Sequence, residues 1–339
     1  MELDSQRYQA YEVSEQNLEG RSSFSGNVVT KQVATLPAGD VLIRVAYSSL
    51  NFKDALSASG NKGVTRQYPH TPGIDAAGVV AESSYPQFEA GDEVIVIGYD
   101  LGMNTAGGFG EFIRVPANWV VKRPSGLSLN EAMIIGTAGF TAALCVEKLL
   151  NNGLESTQGP VLVTGASGGV GSFAIALLSR LGFEVVAMTG SESAHGFLRE
   201  LGASQIIGRE EYSQPGPKPL SKELWAGAVD AVGGDILFNI VKSLKYGGSV
   251  ACCGLVASPQ FQASVFPFIL RGVNLLGVDS VNLPLSHKRQ LWNKLATNWK
   301  PAGLARLETQ VGMAGLDAAL KTVLAGKSTG RLVLSYHMN

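Results

Sequence analysis

Chemistry is legible first between Gly159 and Ser172, where the chain reads Gly-Pro-Val-Leu-Val-Thr-Gly-Ala-Ser-Gly-Gly-Val-Gly-Ser. Val161 to Thr164 read as a short buried strand, a glycine-rich turn follows, and Ala174, Leu177, Leu178 and Leu181 fall at helical spacing. Within the turn, Ala166, Gly168 and Gly171 hold the three positions of a G-x-G-x-x-G pattern, with alanine in the first. Missing side chains there let backbone N–H groups approach a pyrophosphate at the positive end of the helix that starts near Gly169. Glycine-rich turns are common, but a strand before and a helix after supply the context that dinucleotide binding requires.

The choice of dinucleotide rests on the next strand, Val185 to Met188, and on the Thr189-Gly190-Ser191 that follows it. An NAD enzyme places Asp or Glu at this strand end to hold the ribose 2′-hydroxyl, whereas hydroxyls and a cation suit a 2′-phosphate. No carboxylate stands here before Glu192, so NADPH is expected, with Thr189, Ser191 and Arg209 around the extra phosphate. Arg209 has an equal alternative as a solvated loop charge.

Around this motif the elements alternate strand and helix, as a doubly wound parallel sheet requires. Its later strands are expected at Gln205 to Ile207, Ala228 to Val232, Ser249 to Cys253 and Leu275 to Val278, with a helix carrying Leu237, Ile240, Val241 and Leu244. Six strands complete a Rossmann sheet. Residues before about 130 are strand-rich instead, with alternation in Val41, Ile43, Val45 and Tyr47 and strands at Glu93 to Ile97, Glu111 to Val115 and Asn118 to Lys122. Ser128 and Glu131 form an S-x-x-E capping box that opens a helix, and a second helix carries Ala142, Ala143, Val146 and Leu149. Three prolines between Ser213 and Pro219 mark a surface loop. After Ser280 a helix at about Leu285 to Thr297, a short strand and helix, and a strand at Arg331 to Leu334 are expected to return to the first domain. The division is therefore 1–130, 131–281 and 282–339.

Composition agrees with a two-domain α/β enzyme: 339 residues, 45% hydrophobic and 16% charged, with 41 glycines. A formal net charge of -1, with Lys and Arg spread along the chain, leaves no footprint for nucleic acid or an anionic membrane. The polar, acidic start lacks the basic and apolar segments of a secretory signal, and no apolar run is expected to reach bilayer length. Of three cysteines, Cys145, Cys252 and Cys253, none is spaced as a metal ligand, and the adjacent pair reads as small core residues on a buried strand. A reducing cytoplasm is the expected location.

The order of domains, with Ser49-Leu50-Asn51-Phe52-Lys53-Asp54, Pro72-Gly73-Ile74-Asp75-Ala76-Ala77-Gly78, Gly107-Gly108-Phe109-Gly110-Glu111 and Gly136-Thr137-Ala138-Gly139-Phe140-Thr141-Ala142, resembles the medium-chain dehydrogenase/reductase superfamily over essentially the whole chain. The resemblance implies a Rossmann NADP-binding domain beside a mostly-β, GroES-like catalytic domain. Zinc-dependent members carry Cys where Asn51 stands and Gly-His-Glu where Gly73-Ile74-Asp75 stands, which excludes a thiolate or imidazole ligand here. Thr164 to Gly171, Pro267 to Val273 and Gly277 to Ser280 further resemble the zinc-free acryloyl-CoA reductase branch, which includes YhdH/YhfP-type quinone oxidoreductases. That branch carries Tyr where this chain has Phe52, so one hydroxyl is lost.

The resemblance implies reduction of the acryloyl-CoA double bond by NADPH. Its cofactor contacts carry over to Phe52, Ser167, Gly168, Gly169, Val170, Thr189, Gly190, Ser191, Arg209, Leu255, Ile269, Ser280 and Arg331. Phe52 has an equal claim to core packing, and Leu255 and Ile269 offer only backbone or apolar contact. Asn51 is the catalytic candidate, an amide that orients the reactants; a turn-capping role suits it equally on local sequence. Asp54 and Asp75 are either an acid or, with more weight, ion-pair partners, and none of His70, His195, His287 and His337 is assigned to catalysis. Lys53, Lys62 and Arg66 are candidates for CoA phosphates, against solvated charges as the heavier alternative. Two other functions stay open: a quinone or broad enone reductase, and a non-catalytic NADPH-binding protein. The Leu275 to Val278 strand at the sheet edge suggests a homodimer.

Overall fold

A computed structural model describes residues 3–18, 21–214 and 218–338. Its elements are β1 (Arg7–Leu18), β2 (Arg21–Gln32), β3 (Val41–Ser49), α1 (Phe52–Ala58), β4 (Asp75–Ser83), β5 (Glu93–Ile97), β6 (Phe112–Val115) and β7 (Val120–Lys122). There follow α2 (Leu129–Asn151), β8 (Val161–Val163), α3 (Gly169–Arg180), β9 (Val185–Met188), α4 (His195–Glu200), β10 (Gln205–Ile207), β11 (Trp225–Asp230) and α5 (Gly234–Ser243). The last are β12 (Leu244–Cys252), α6 (Phe266–Arg271), β13 (Asn274–Gly277), α7 (Leu285–Leu295), β14 (Glu308–Val311), α8 (Leu316–Leu324) and β15 (Arg331–Ser335). They fall into two compact units, one of Met1–Thr137, Val281–Ala296 and Leu304–Asn339, the other of Ala138–Ser280 and Thr297–Gly303.

The second unit is a parallel six-stranded sheet in the order β10-β9-β8-β11-β12-β13. The chain starts at β8 in the middle, runs outward, then returns to β11 on the other side, which is the doubly wound arrangement. Buried Leu162, Val186, Ala228 and Val250 of the strands pack with Ile236, Leu237, Ile240 and Val241 of α5. The expected strand at Ala228 to Val232 lies earlier, at Trp225–Asp230, because Gly233 and Gly234 adopt positive φ and start α5. Leu244 opens β12 rather than continuing α5.

The first unit is mostly β: a seven-stranded sheet in the order β14-β15-β3-β4-β5-β7 with β6 also on β3, and a separate β1–β2 hairpin. Val41, Ile43 and Val45 of β3 meet Ala76 and Val80 of β4 and Val94 and Val96 of β5 in its core. The carboxy-terminal strand β15 pairs antiparallel with β3, bringing Val333 opposite Ser49. The long hairpin and the short α1 were not foreseen as elements, since polar residues break any simple period in β1 and β2 and α1 is only two turns.

Two expectations are corrected. Helix α2 is long and apolar enough to cross a bilayer by length and composition, but 83% of its most apolar stretch is buried within the fold and Gly136 interrupts it. Cys252 and Cys253 are half-buried, being at the end of β12 and beyond it, while Cys145 is buried. Of the proline-rich segment, Pro215 to Pro217 lie outside the described residues.

Candidate active site

In the second unit, β8 ends at Val163 and the chain turns through Gly165, whose φ of 56° favours glycine, into α3. Gly168 is the N-cap and has no side chain to satisfy the first-turn N–H groups of a 12-residue helix. A Cβ on Gly171 would collide with the Gly165 carbonyl oxygen and lie 2.7 Å from Ala166 Cα, so the third glycine is required for helix–turn packing. Thr164 Oγ1 donates to Asp230 Oδ1 at 2.7 Å, and Asp230 Oδ2 accepts the Gly233 N–H at 2.8 Å, tying the turn to the neighbouring strand end. Burial raises the Asp230 carboxyl above its ordinary range.

At the end of β9, Thr189 Oγ1 accepts the Ser191 N–H at 3.1 Å and stands 3.4 Å from Ser167 Oγ. The Arg209 side chain lies over Gly190: a Cβ there would come within 3.0 Å of its Nε. Arg209 is exposed, as is Glu192. Backbone donors, two hydroxyls and a guanidinium thus converge where a phosphorylated ribose needs them, and the residues fit a dinucleotide carrying a 2′-phosphate. Of the remaining sequence candidates in this unit, Ser280 is buried and its Oγ is 2.8 Å from Thr141 Oγ1, while Leu255 and Ile269 are 57% and 68% exposed.

In the first unit a buried polar network surrounds Asn51, at the junction of β3 and α1. Asn51 is the N-cap residue of α1, and its backbone N–H donates to Asp54 Oδ2 at 2.8 Å; Asp54 Oδ1 accepts from Ile74 N–H at 2.8 Å. The Asn51 Nδ2 donates to Asp75 Oδ2 at 2.9 Å. Asp75 also accepts from Ser49 Oγ and from the Thr137 N–H, at 2.8 Å for the latter, and Thr137 Oγ1 donates to its other oxygen. Arg331 lies 3.9 Å from Asp75 Oδ2 and donates to the carbonyls of Ile134 at 3.1 Å and Leu50 at 3.3 Å.

Asp54 and Asp75 are fully buried and Arg331 is 3% exposed. Burial first, and the neighbouring Asp75 charge second, push the Asp54 carboxyl up to about 7. Burial lowers Arg331, opposed by the two carboxylates. Gly136 closes over this network with φ 49° and ψ -161°, a conformation open to glycine alone; a Cβ would collide with Ser49 Oγ and approach Asp75 Oδ2 to 2.6 Å and Arg331 Nη2 to 2.8 Å.

The structure thus brings Asn51, Asp54 and Asp75 together and adds Ser49, Gly136, Thr137 and Arg331. Of the two readings of Asn51, the capping one is seen directly: it is the N-cap of α1, and its amide donates to Asp75 within the polar network. Arg331, assigned to the cofactor by resemblance, has its guanidinium among protein acceptors. Phe52 packs half-buried against the cluster of Leu50, Ala55, Phe109 and Leu316. Lys62 pairs with Glu15 at 2.6 Å and lies over the Phe24 and Tyr68 rings, which leaves it poorly placed as a phosphate ligand. Thr137 and Gly136 were visible only as a G-T-A-G word; nothing local signalled that they meet Asp75, 62 residues earlier in the chain in the case of Thr137.

The family of alcohol dehydrogenase GroES-like domains matches residues 37–125, and that of zinc-binding dehydrogenases matches 169–297. The chain is 45% identical to the putative quinone oxidoreductase YhfP of Bacillus subtilis, the match covering 91% of this chain and 94% of that one. It is 42% identical to the probable acrylyl-CoA reductase AcuI of Escherichia coli, with the same coverage of each. The chain belongs to this family of medium-chain dehydrogenase/reductases.

Solved structures of family members agree in fold. That of the YhdH oxidoreductase from Salmonella enterica in complex with NADP has a TM-score of 0.92, at 43% identity over 96% of this chain and 99% of that one. That of B. subtilis YhfP with NAD bound has a TM-score of 0.93, at 43% identity over 98% and 100%. The mostly-β first unit is the GroES-like domain, the second the Rossmann domain, and the protein is an oxidoreductase. Although one matching family is called zinc-binding, the donor set here does not fit zinc: Asn51 and Ile74 stand at the ligand positions, and among the described residues no group of three His, Cys, Asp or Glu can hold a metal.

Proposed function

We propose that this chain is an NADPH-dependent reductase of the carbon–carbon double bond of acryloyl-CoA or a similar small enoyl thioester, releasing propionyl-CoA. The observation that carries the substrate is 42% identity to the probable acrylyl-CoA reductase AcuI of E. coli across 94% of its length. For the cofactor, the cluster of Thr189, Ser191 and Arg209 without a carboxylate supports NADPH over NADH. Ser167, Gly168, Gly169 and Val170 hold the pyrophosphate on the α3 N-terminus, and Gly190 leaves room for Arg209.

When bound, NADPH supplies the hydride. The thioester carbonyl polarises the double bond, the β-carbon accepts hydride as the carbon–carbon π bond breaks, and the resulting enolate is protonated at its α-carbon. NADP⁺ leaves with propionyl-CoA, one proton having been consumed. The chain's own residues supply orientation and a fixed polar environment rather than a covalent intermediate. Asn51 is the amide that orients the reactants, and Phe52, Leu255, Ile269, Ser280 and Arg331 are the further cofactor contacts proposed from the resemblance.

A second reading, NADPH:quinone oxidoreductase, is favoured by the name of the B. subtilis relative. Oxidation of NADPH with acryloyl-CoA and with a simple benzoquinone, in parallel and with NADH as control, separates the two. Turnover confined to the thioester supports the first; turnover confined to the quinone replaces it. The enzyme is proposed to work in the cytoplasm; it is proposed to be a homodimer because, among the described residues, β13 pairs with β12 alone and leaves Leu275 exposed at the sheet edge.

A further inference from the structure

We propose that Cys145 and Cys253 form a redox-active thiol pair, which a peroxide closes to a disulfide through the half-buried Cys253, and that the bridge weakens cofactor binding. The effect on the cofactor rests on the NADPH reading above; the bridge itself does not.

The three cysteines of the chain meet at the end of β12. Cys252 closes that strand and packs against the core cluster that includes Ile240 and Val241 of α5. Cys253 follows it and turns the other way, since side chains alternate along an extended chain. There its thiol is in hydrogen-bond contact with that of Cys145, a fully buried residue of α2. Two thiols in contact already face each other, so the approach to an S–S bond of about 2.05 Å is short. The Cys253 contact first, and burial second, push the Cys145 thiol well above its ordinary range, and burial pushes Cys252 up to about 11. Neither is a ready nucleophile, whereas the half-buried Cys253 is within reach of a small oxidant.

The oxidation balances with hydrogen peroxide as co-reactant. The Cys253 sulfur attacks the O–O bond, which breaks to give a sulfenic acid and one water. The Cys145 sulfur then attacks that sulfur: the S–S bond forms, the S–O bond breaks, and the hydroxyl leaves with the Cys145 proton as a second water. Two electrons pass from the two sulfurs to the peroxide. In a reducing compartment such a bridge is transient, which suits a sensor.

The link to the cofactor runs through Asp230. Its carbonyl accepts from the Cys253 N–H at 2.9 Å and from Cys253 Sγ at 3.4 Å, and its carboxylate holds Thr164 and Gly233. Once bonded to Cys145, the sulfur has no proton left for that carbonyl. Gly254 leaves no slack beside it, because a Cβ there would collide with the Ala231 carbonyl oxygen and lie 2.6 Å from its carbon. The displacement therefore passes to Asp230 and Thr164, at the head of the turn that receives the pyrophosphate.

The test adds hydrogen peroxide to the native full chain, counts free thiols and maps peptides without reduction. The expected result is loss of two of the three thiols, one peptide joining Cys145 to Cys253, and recovery of both thiols with dithiothreitol. Titration calorimetry should find NADP⁺ bound about tenfold more weakly by the oxidised chain, the factor that one well-placed hydrogen bond contributes. Cys145→Ser should stop at a sulfenic acid on Cys253 that dimedone captures, and Cys252→Ser should still form the bridge. Survival of all three thiols, or a bridge made through Cys252, would overturn the pair. Equal affinity of the oxidised and reduced chains would overturn its effect on the cofactor. A reduced chain that binds no NADP⁺ removes the NADPH reading itself and with it that effect, while the peptide map still decides the bridge.

Discussion

Gly136→Ala tests the description of the polar network most directly. The alanine meets two separate costs. Its backbone must hold φ 49° with ψ -161°, a region that costs a non-glycine residue about 1–3 kcal/mol. Its Cβ must also displace Ser49 Oγ, Asp75 Oδ2 or Arg331 Nη2, and breaking a buried charge pair costs about 3–5 kcal/mol. Together they amount to about 4–8 kcal/mol, a large part of the about 5–15 kcal/mol that holds a domain folded. Urea unfolding of the apoprotein, followed by hydrogen exchange in peptides covering β3 and β4, reads the first unit separately from the second. The expected result is loss of protection in those strands at a much lower urea concentration, with β8 and β11 little changed. A variant within about 0.5 kcal/mol of the wild type would refute both the left-handed backbone and the close approach to Asp75.

The pH dependence of stability has a sign that can be checked. Asp54 is raised to about 7 in the folded protein against about 3.9 in an unfolded chain. The folded state therefore binds the extra proton between those values, and this group's contribution is greatest below about pH 4 and falls as pH rises through 7, by about 4 kcal/mol in all. Wild type compared with Asp54→Asn should show a stability difference that changes by about 2.7 kcal/mol between pH 5 and 8; parallel curves would remove the shift. Arg209→Ala should lower the ratio of kcat/KM for NADPH over NADH by about 10- to 100-fold, as expected for a charge-assisted hydrogen bond, and an unchanged ratio returns Arg209 to a solvated charge. Leu275→Glu should shift the sedimentation mass toward a single chain, by placing like charges across the β13 edge, and an unaltered dimer locates the interface elsewhere.

The doubly wound unit was legible in the sequence because its signals are local. Val161 to Val163, the glycine turn and the apolar face of α3 lie within twenty residues of one another, and Thr189 to Ser191 follow directly from the next strand. The hydroxyls at that strand end and the alanine and glycines of the turn state their requirement, close backbone approach and no competing carboxylate, in residue types alone. The zinc ligand positions were equally plain, since Asn51 and Ile74 cannot be mistaken for Cys and His.

What only the tertiary structure decided is the work of residues whose partners are far away in the chain. Asn51, read as either a catalytic amide or a cap, is held by Asp75 and faces Arg331, 280 residues later. Asp54 reads as an acid or an ion-pair partner, and only its burial beside Asp75 shows its raised carboxyl; Gly136 reads as part of a G-T-A-G word between two helices until its missing Cβ is seen to make room for an ion pair. Sequence period reports which side of an element is apolar, because that depends on neighbours a few residues apart. It does not report which polar groups meet inside the core, because that depends on pairing β15 with β3 and on the path of α2, and on the energy of charges that exist as a cluster only after the chain has closed around them.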